Sequence, residues 1–287
     1  MIGFDELGDK GWLGNQMFQY ASLRGIAAHN GYEFCIPPQN EGRTNYLLHD
    51  IFNLTGAKNF GYIGGLYKHS TSDDVCHSTT FHFNEKFFNE CPDNVNISGF
   101  YQSEKWFKDI EDEVRNDFTF KDEILSVCES FIKQFDSAPF FVHVRRGDFV
   151  KRPDYHFNLP MEYFEESISK FDRDISVLVF SDDIEWCKEQ EIFKSDRFNF
   201  SETSDRLPLT NFLKAQYTES ALIPYFDLCL MTLCNGGIMS NSTFSWWGAW
   251  LQRNRTRDII CPTKDKWGGR LNKCDHSDIA AQGWISL

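Results

Sequence analysis

Phe140-Phe141-Val142-His143-Val144-Arg145-Arg146-Gly147-Asp148 is the stretch on which the fold turns. Strand-forming apolar residues run up to two adjacent arginines and then stop at a glycine. Side chains alternate along a strand, so His143 and Arg145 share one face while Val142 and Val144 share the other. Ser176-Val177-Leu178-Val179-Phe180 and Gly236-Gly237-Ile238-Met239-Ser240 give two further short apolar runs, the continuous kind buried in parallel sheets. Between them, Met161 to Phe171 reads as a helix, Pro224 is placed to open a second helix through Leu233, and Ser245 to Leu251 reads as a third. Strands alternating with helices predict an α/β layer on a parallel sheet. The pattern starts near Asp136-Ser137-Ala138-Pro139, which sets expected domains of 1–137 and 138–287.

The N-terminal half is less regular. A glycine-spaced turn over 8–14 leads into Asn15 to Ala28, where Met17, Phe18, Ala21, Ile26 and Ala28 predict a helix with one apolar face. Tyr32-Glu33-Phe34-Cys35-Ile36 reads as a strand closed by Pro37-Pro38, and residues 39–98 as loops and short elements. The chain has 287 residues, 41% hydrophobic and 25% charged, which describes a water-soluble globular protein of one or two domains. Forty-two acidic against 29 basic residues leave a charge of -13, which argues against a nucleic-acid partner, whose phosphates need many cations. One small anion held by a few arginines remains compatible. The nine cysteines, an odd number with no Cys-x-x-Cys pair, are expected to be reduced packing thiols. No basic-then-apolar leader and no run of 18 apolar residues is present, so a cytoplasmic location is expected.

Two adjacent arginines at the end of a core strand need anionic partners. Asp148 is near enough to orient one, which leaves the other for a phosphate that the planar guanidinium can grip bidentately. A purely structural Arg-Asp pair is the competing reading. In Asn241-Ser242-Thr243-Phe244-Ser245, small polar residues lead from strand to helix, and backbone N–H groups at a helix start receive phosphate well. Simple capping by Ser242 or Thr243 explains the same residues. Trp246 and Trp250, one turn apart, read as packing. At the end of the second strand, Phe180-Ser181-Asp182-Asp183 offers a carboxylate to ribose hydroxyls or to the N–H edge of guanine, or else a cap for the helix from Ile184. Together the three segments describe a nucleotide cleft. No Gly-x-x-x-x-Gly-Lys-Ser/Thr loop, Gly-x-Gly-x-x-Gly turn or His-Glu-x-x-His is present to support a kinase, dehydrogenase or zinc-protease reading.

Gly14-Asn15-Gln16-Met17-Phe18-Gln19-Tyr20-Ala21, His143-Val144-Arg145-Arg146-Gly147-Asp148 and Asn241-Ser242-Thr243-Phe244-Ser245-Trp246-Trp247-Gly248-Ala249-Trp250 resemble, in order and spacing, the alpha-1,2-fucosyltransferases of glycosyltransferase family eleven. The resemblance implies a GT-B-like fold of two facing Rossmann-like α/β domains. The nucleotide site falls in the C-terminal one, and a final helix packs back on the first. It implies inverting transfer of L-fucose from GDP-β-L-fucose to the 2-hydroxyl of a terminal galactoside, with no metal and no cofactor. The partners it implies are GDP-fucose and a galactose-containing glycan, with peripheral contact to a membrane-borne glycolipid at most. Carried over by position, Arg145 grips the β-phosphate with Arg146 beside it, and His143 lines the nucleotide site. Asp183 reads guanine, Ser242, Thr243 and Phe244 wrap the diphosphate, and Asn15 approaches the sugar. In the related alpha-1,6 enzymes a glutamate lies five residues beyond the motif's aspartate; here that place is Pro153, so the neighbouring Asp154 becomes the candidate base, with His156 as another. Other linkages, alpha-1,6 or protein O-fucosyl, and a non-catalytic sugar- or nucleotide-binding relative are the alternatives.

Overall fold

One long helix dominates the first part of the chain. The computed structural model describes residues 1–39, 45–64, 81–202, 219–255 and 258–287. It divides into two units, Met1–Phe120 with Lys273–Ala281, and Lys121–Asn272 with Gln282–Leu287. The first unit contains β1 (Ile2–Gly3), α1 (Leu13–Asn30), β2 (Phe34–Ile36), α2 (Leu48–Ile51), β3 (Asn59–Phe60), α3 (Glu85–Glu90) and α4 (Glu111–Asp117). Its three strands form a parallel sheet in the order β1-β2-β3.

The single apolar face expected for α1 is corrected by the structure, which buries the helix on nearly every side, Gln16, Gln19 and Ser22 included. Those polar groups are accommodated because they bond to loop carbonyls: Gln16 Nε2 donates to Asn45 O at 2.5 Å, Gln19 Nε2 to Gly99 O at 3.1 Å, and Ser22 Oγ to Tyr101 O at 3.3 Å. Gly25 lets the helix reach its neighbour, since a Cβ there would lie 1.9 Å from the carbonyl oxygen of Trp106.

The second unit contains α5 (Asp122–Ile132), β4 (Phe140–Val144), α6 (Gly147–Lys151), α7 (Met161–Ser169), β5 (Val177–Ser181), α8 (Ile184–Glu189), β6 (Phe198–Phe200), α9 (Glu219–Leu233), β7 (Gly237–Ile238), α10 (Thr243–Trp250), β8 (Ile259–Cys261) and β9 (Ile285–Ser286). All six strands are parallel, in the order β6-β5-β4-β7-β8-β9. The unit begins earlier than the change of pattern at 137/138. Ile124, Val127, Cys128 and Phe131, spaced three and four apart on α5, are buried, and the Cys128 thiol reaches Phe226 O on α9. Pro224 stands inside α9 rather than at its start. The segment that belongs with the first unit, Lys273–Ala281, is irregular rather than helical; Asp278 accepts there from Phe83 N at 3.0 Å. No helix among the described residues is long and apolar enough to cross a membrane.

Strand alternation divides the sheet's two faces as the sequence suggests. Val142, Val144, Val177 and Val179 pack with Tyr163, Phe164 and Ile168 of α7 in one apolar cluster. From β4 the chain steps outward to β5 and β6, then returns to place β7 on β4's other side. This reversal makes the carboxyl ends of β4 and β7 a topological switch point, the place where open α/β sheets take ligands.

Candidate functional site

The carboxyl ends of β4, β5 and β7 bring together the segments that the sequence singles out. His143, the one polar residue of β4, is buried, and its Nδ1 lies 2.7 Å from Ser240 Oγ just beyond β7. Burial first, and the Arg145 charge second, push its pKa from 6.5 down to about 3. The ring is therefore neutral near pH 7 and adds no charge beside the arginines.

Arg145 and Arg146 leave the strand end into a cluster of carboxylates. Arg145 contacts Asp148 at 2.5 Å through Nη2 and Asp182 at 3.0 Å through Nη1. Arg146 uses its backbone N–H toward Asp182 at 2.8 Å and its Nε toward Asp183 at 3.0 Å. Gly147 makes this possible, because a Cβ there would come 2.3 Å from Asp182 Oδ2. The Arg-Asp148 pairing expected from sequence is present, but it does not leave the second arginine unpaired. Two guanidinium groups face three carboxylates, so the arginine charge is already fully balanced and their orientation preset before an anion arrives. These contacts use two of the five N–H donors on the Arg145 side chain.

Asp183 precedes α8 without capping it, since its side chain is turned to Arg146. Ser242 does cap α10, accepting from Phe244 N at 3.3 Å, so the capping reading holds for that hydroxyl. Thr243 and Phe244 form the first turn of α10, and the Phe244 ring lies 5.9 Å from the His143 ring. The helix presents its N-terminal N–H groups and the positive end of its dipole at the mouth of the switch point. Trp246 and Trp250 stack at 6.1 Å between ring centres and are buried, the packing role expected for them.

One candidate lies apart from this cluster, and another belongs to the other unit. Asp154 is exposed and pairs with Arg270 at 3.2 Å; no contact among the described residues joins it to Arg145. Asn15 belongs to the first unit, where its Oδ1 accepts from the buried Gln102 at 2.9 Å. His156 stacks on Phe149 at 4.1 Å, 9° from parallel, with its pKa lowered chiefly by burial. Sequence reasoning missed Asp182, the carboxylate nearest Arg145 from the neighbouring strand, and Ser240. No sequence signal marks them: Asp182 reaches Arg145 through strand register, since β4 and β5 pair with Val144 opposite Ser181, which places the residues after each side by side.

The family model for glycosyl transferase family 11 matches residues 4–287. The chain belongs to glycosyl transferase family 11. Among curated relatives, it is 29% identical to the Alpha-1,2-colitosyltransferase of Escherichia coli over 96% of each chain. It is 31% identical to the O-antigen biosynthesis glycosyltransferase WbnK of Escherichia coli, over 51% of this chain but only 43% of that relative. The Galactoside alpha-(1,2)-fucosyltransferase 2 of Oryctolagus cuniculus is 26% identical over 84% of this chain and 65% of its own length. Among solved structures, fucosyltransferase NodZ from Bradyrhizobium aligns with a TM-score of 0.54 at 13% identity, covering 86% of this chain and 91% of that one. This family-11 chain therefore has the GT-B-like α/β fold expected from sequence.

The buried neutral state of His143 has a consequence for stability. The unfolded chain binds a proton at this histidine near pH 6.5, whereas the folded chain does so only near pH 3. Folding stability is thus fully present above 6.5 and is lost as pH falls toward 3, by about 1.4 kcal/mol per unit. Denaturant titrations at pH 7 and pH 5 are expected to differ by about 2 kcal/mol from this group, and His143→Gln is expected to remove that share of the slope. His276 in the first unit, held down to about 4 by burial, adds in the same direction. An unchanged pH slope in the His143→Gln variant would contradict the buried neutral state.

Proposed function

We propose that the protein is an inverting glycosyltransferase that moves L-fucose from GDP-β-L-fucose to the 2-hydroxyl of a terminal galactoside, forming an alpha-1,2 linkage. The observation that carries this reading is that, in a family-11 chain, His143 of β4 meets Ser240 and the Phe244 ring at the start of α10, with Arg145 at the end of the same strand. A NodZ structure soaked with GDP-fucose shares the fold, and the named alpha-1,2 relatives support the linkage.

In this scheme the bond from the fucose anomeric carbon to the β-phosphate oxygen breaks with both electrons going to GDP. The galactoside 2-oxygen attacks the opposite face of the anomeric carbon and gives up its proton. Negative charge grows on the β-phosphate as the first bond lengthens, so cations and N–H dipoles aimed there stabilise the transition state more than the bound donor. Arg145 supplies the charge, with Ser242, Thr243 and Phe244 surrounding the diphosphate. His143 lines the nucleotide pocket as a neutral ring, Asp183 meets the guanine edge, and Arg146 completes the donor-binding set. Asn15 is assigned to the fucosyl group and Asp154 to the acceptor's proton. No metal takes part, because the guanidinium and helix dipole provide the positive field. The partners are GDP-fucose and a galactose-terminated glycan, peripheral contact with membrane-borne glycolipid being the furthest extension of the acceptor range.

GDP release from GDP-fucose, followed with and without lactose in excess EDTA, tests the scheme. Lactose-dependent release undiminished by EDTA is expected. Complete loss of release in EDTA would overturn the metal-free step, and no release under any condition would favour a ligand-binding relative without turnover. The similarity to an alpha-1,2-colitosyltransferase favours one second reading, a nucleotide-activated colitose as donor. Faster GDP release from that donor than from GDP-fucose would establish it.

A further inference from the structure

The two arginines are held differently. Arg145 lies 5.5 Å from the centre of the Phe149 ring and turns its Nη atoms to Asp148 and Asp182. Arg146 lies over Trp186, with its guanidinium carbon 3.6 Å from the ring centre, while its Nε donates to Asp183 Oδ2 at 3.0 Å. Trp186 follows Asp183 by three residues on α8 and packs partly against the apolar cluster beneath the sheet, so its ring is anchored to the core. Asp183 is also fixed through its backbone, whose N–H donates to Ser181 Oγ at 3.0 Å. The aromatic face sets the plane of the guanidinium and the guanidinium sets the carboxylate, because cation–π contact and a charge-assisted hydrogen bond both constrain orientation.

We propose that Trp186 and Arg146 are positioning residues for nucleobase selection. Trp186 holds the Arg146 plane, Arg146 takes Asp183 Oδ2, and the Asp183 carboxylate is thereby aimed at a base edge bearing two adjacent N–H donors. This rests on the reading of Asp183 as the residue that meets guanine. It removes Arg146 from the phosphate-gripping role and leaves that to Arg145. Guanine carries both N1–H and the exocyclic amine, whereas hypoxanthine lacks the amine, so the ratio of GDP to IDP affinity reports carboxylate aim independently of turnover.

Calorimetric titration of the full chain with GDP and with IDP is the test. One hydrogen bond to a charged acceptor is enough for about tenfold preference for GDP or more. Asp183→Ala is expected to abolish most of that preference, and Trp186→Leu and Arg146→Lys are expected to do the same. Leu keeps apolar packing but offers no ring face, and Lys keeps the charge but has no planar Nε. Trp186→Phe, which retains a ring, is expected to keep the preference. If Asp183→Ala leaves the ratio intact, the guanine-reading assignment itself falls. If Asp183→Ala removes the preference but Trp186→Leu and Arg146→Lys weaken GDP and IDP in parallel, base reading stands and the positioning role is overturned. Loss of the preference in Trp186→Phe would also overturn the role given to the ring. Should Trp186→Leu fail to fold, Arg146→Lys at the solvent-accessible end carries the test.

Discussion

Arg145→Ala is expected to lower turnover from GDP-fucose by about a hundredfold, an effect on the order of 3 kcal/mol for losing a group aimed at developing charge. The fold should survive the change. The Arg145 side chain is 28% exposed, and its ion pairs with Asp148 and Asp182 lie at the surface, where such pairs contribute about 0–1 kcal/mol. Removing the guanidinium also leaves three carboxylates at the phosphate's entrance with only Arg146 opposite them. The loss should therefore appear in both kcat and donor affinity. Arg145→Lys should recover part of the donor affinity but little of kcat, because an ammonium cannot present the planar fork. Steady-state kinetics on variants with an unchanged thermal midpoint measure this, and near wild-type turnover in Arg145→Ala would remove Arg145 from the mechanism.

The largest stability effect is expected in the first unit, at Asp117. This carboxylate is fully buried at the end of α4 and forms a salt bridge with Arg24 of α1. It also accepts from the Tyr20 hydroxyl at 2.7 Å, the Thr55 hydroxyl at 3.1 Å and the Gly56 N–H at 2.6 Å. One side chain on α4 thus satisfies donors from α1 and from the Thr55-Gly56 loop, and burial raises the Tyr20 pKa so that its hydroxyl stays a donor. Asp117→Ala leaves the buried Tyr20 hydroxyl without its acceptor and takes the carboxylate from the half-buried Arg24 guanidinium and Gly56 amide, a loss of buried pairing that typically costs about 3–5 kcal/mol. Chemical denaturation should show a loss of that size. A loss below about 1 kcal/mol, the scale of a surface pair, would show that the cluster is not the anchor described.

Much of the second unit was legible because its strands are buried on both faces. Phe140–Val144 and Val177–Ser181 contain almost nothing but β-branched and aromatic residues, and only a parallel sheet covered by helices hides such runs. β6, β8 and β9 were not legible, since strands of three residues or fewer carry little periodicity of their own; β7 is as short but was legible because it lies in the apolar run 236–240 that leads into the Asn241 segment. The Arg145-Asp148 pair could be read from spacing alone. The partnership of Arg145 with Asp182 could not, because it depends on the register between β4 and β5 and on Gly147 leaving room. Asp183 shows the same limit: its place before a helix suggested a cap, but the tertiary pairing with Arg146 captured the side chain. The buried glutamines of α1 misled in the opposite direction, their polarity suggesting a solvent face that loop carbonyls in fact cover.

On the proposed reading, this family-11 chain transfers fucose with inversion to a galactoside 2-hydroxyl through a site at the ends of β4, β5 and β7. The most direct test is structural analysis, by NMR, of the product formed from GDP-β-L-fucose with lactose, lacto-N-biose or N-acetyllactosamine. An α-configured fucosyl group on the galactose 2-oxygen is the predicted result. A fucosyl group on another hydroxyl, or one that keeps the β configuration of the donor, would contradict the account.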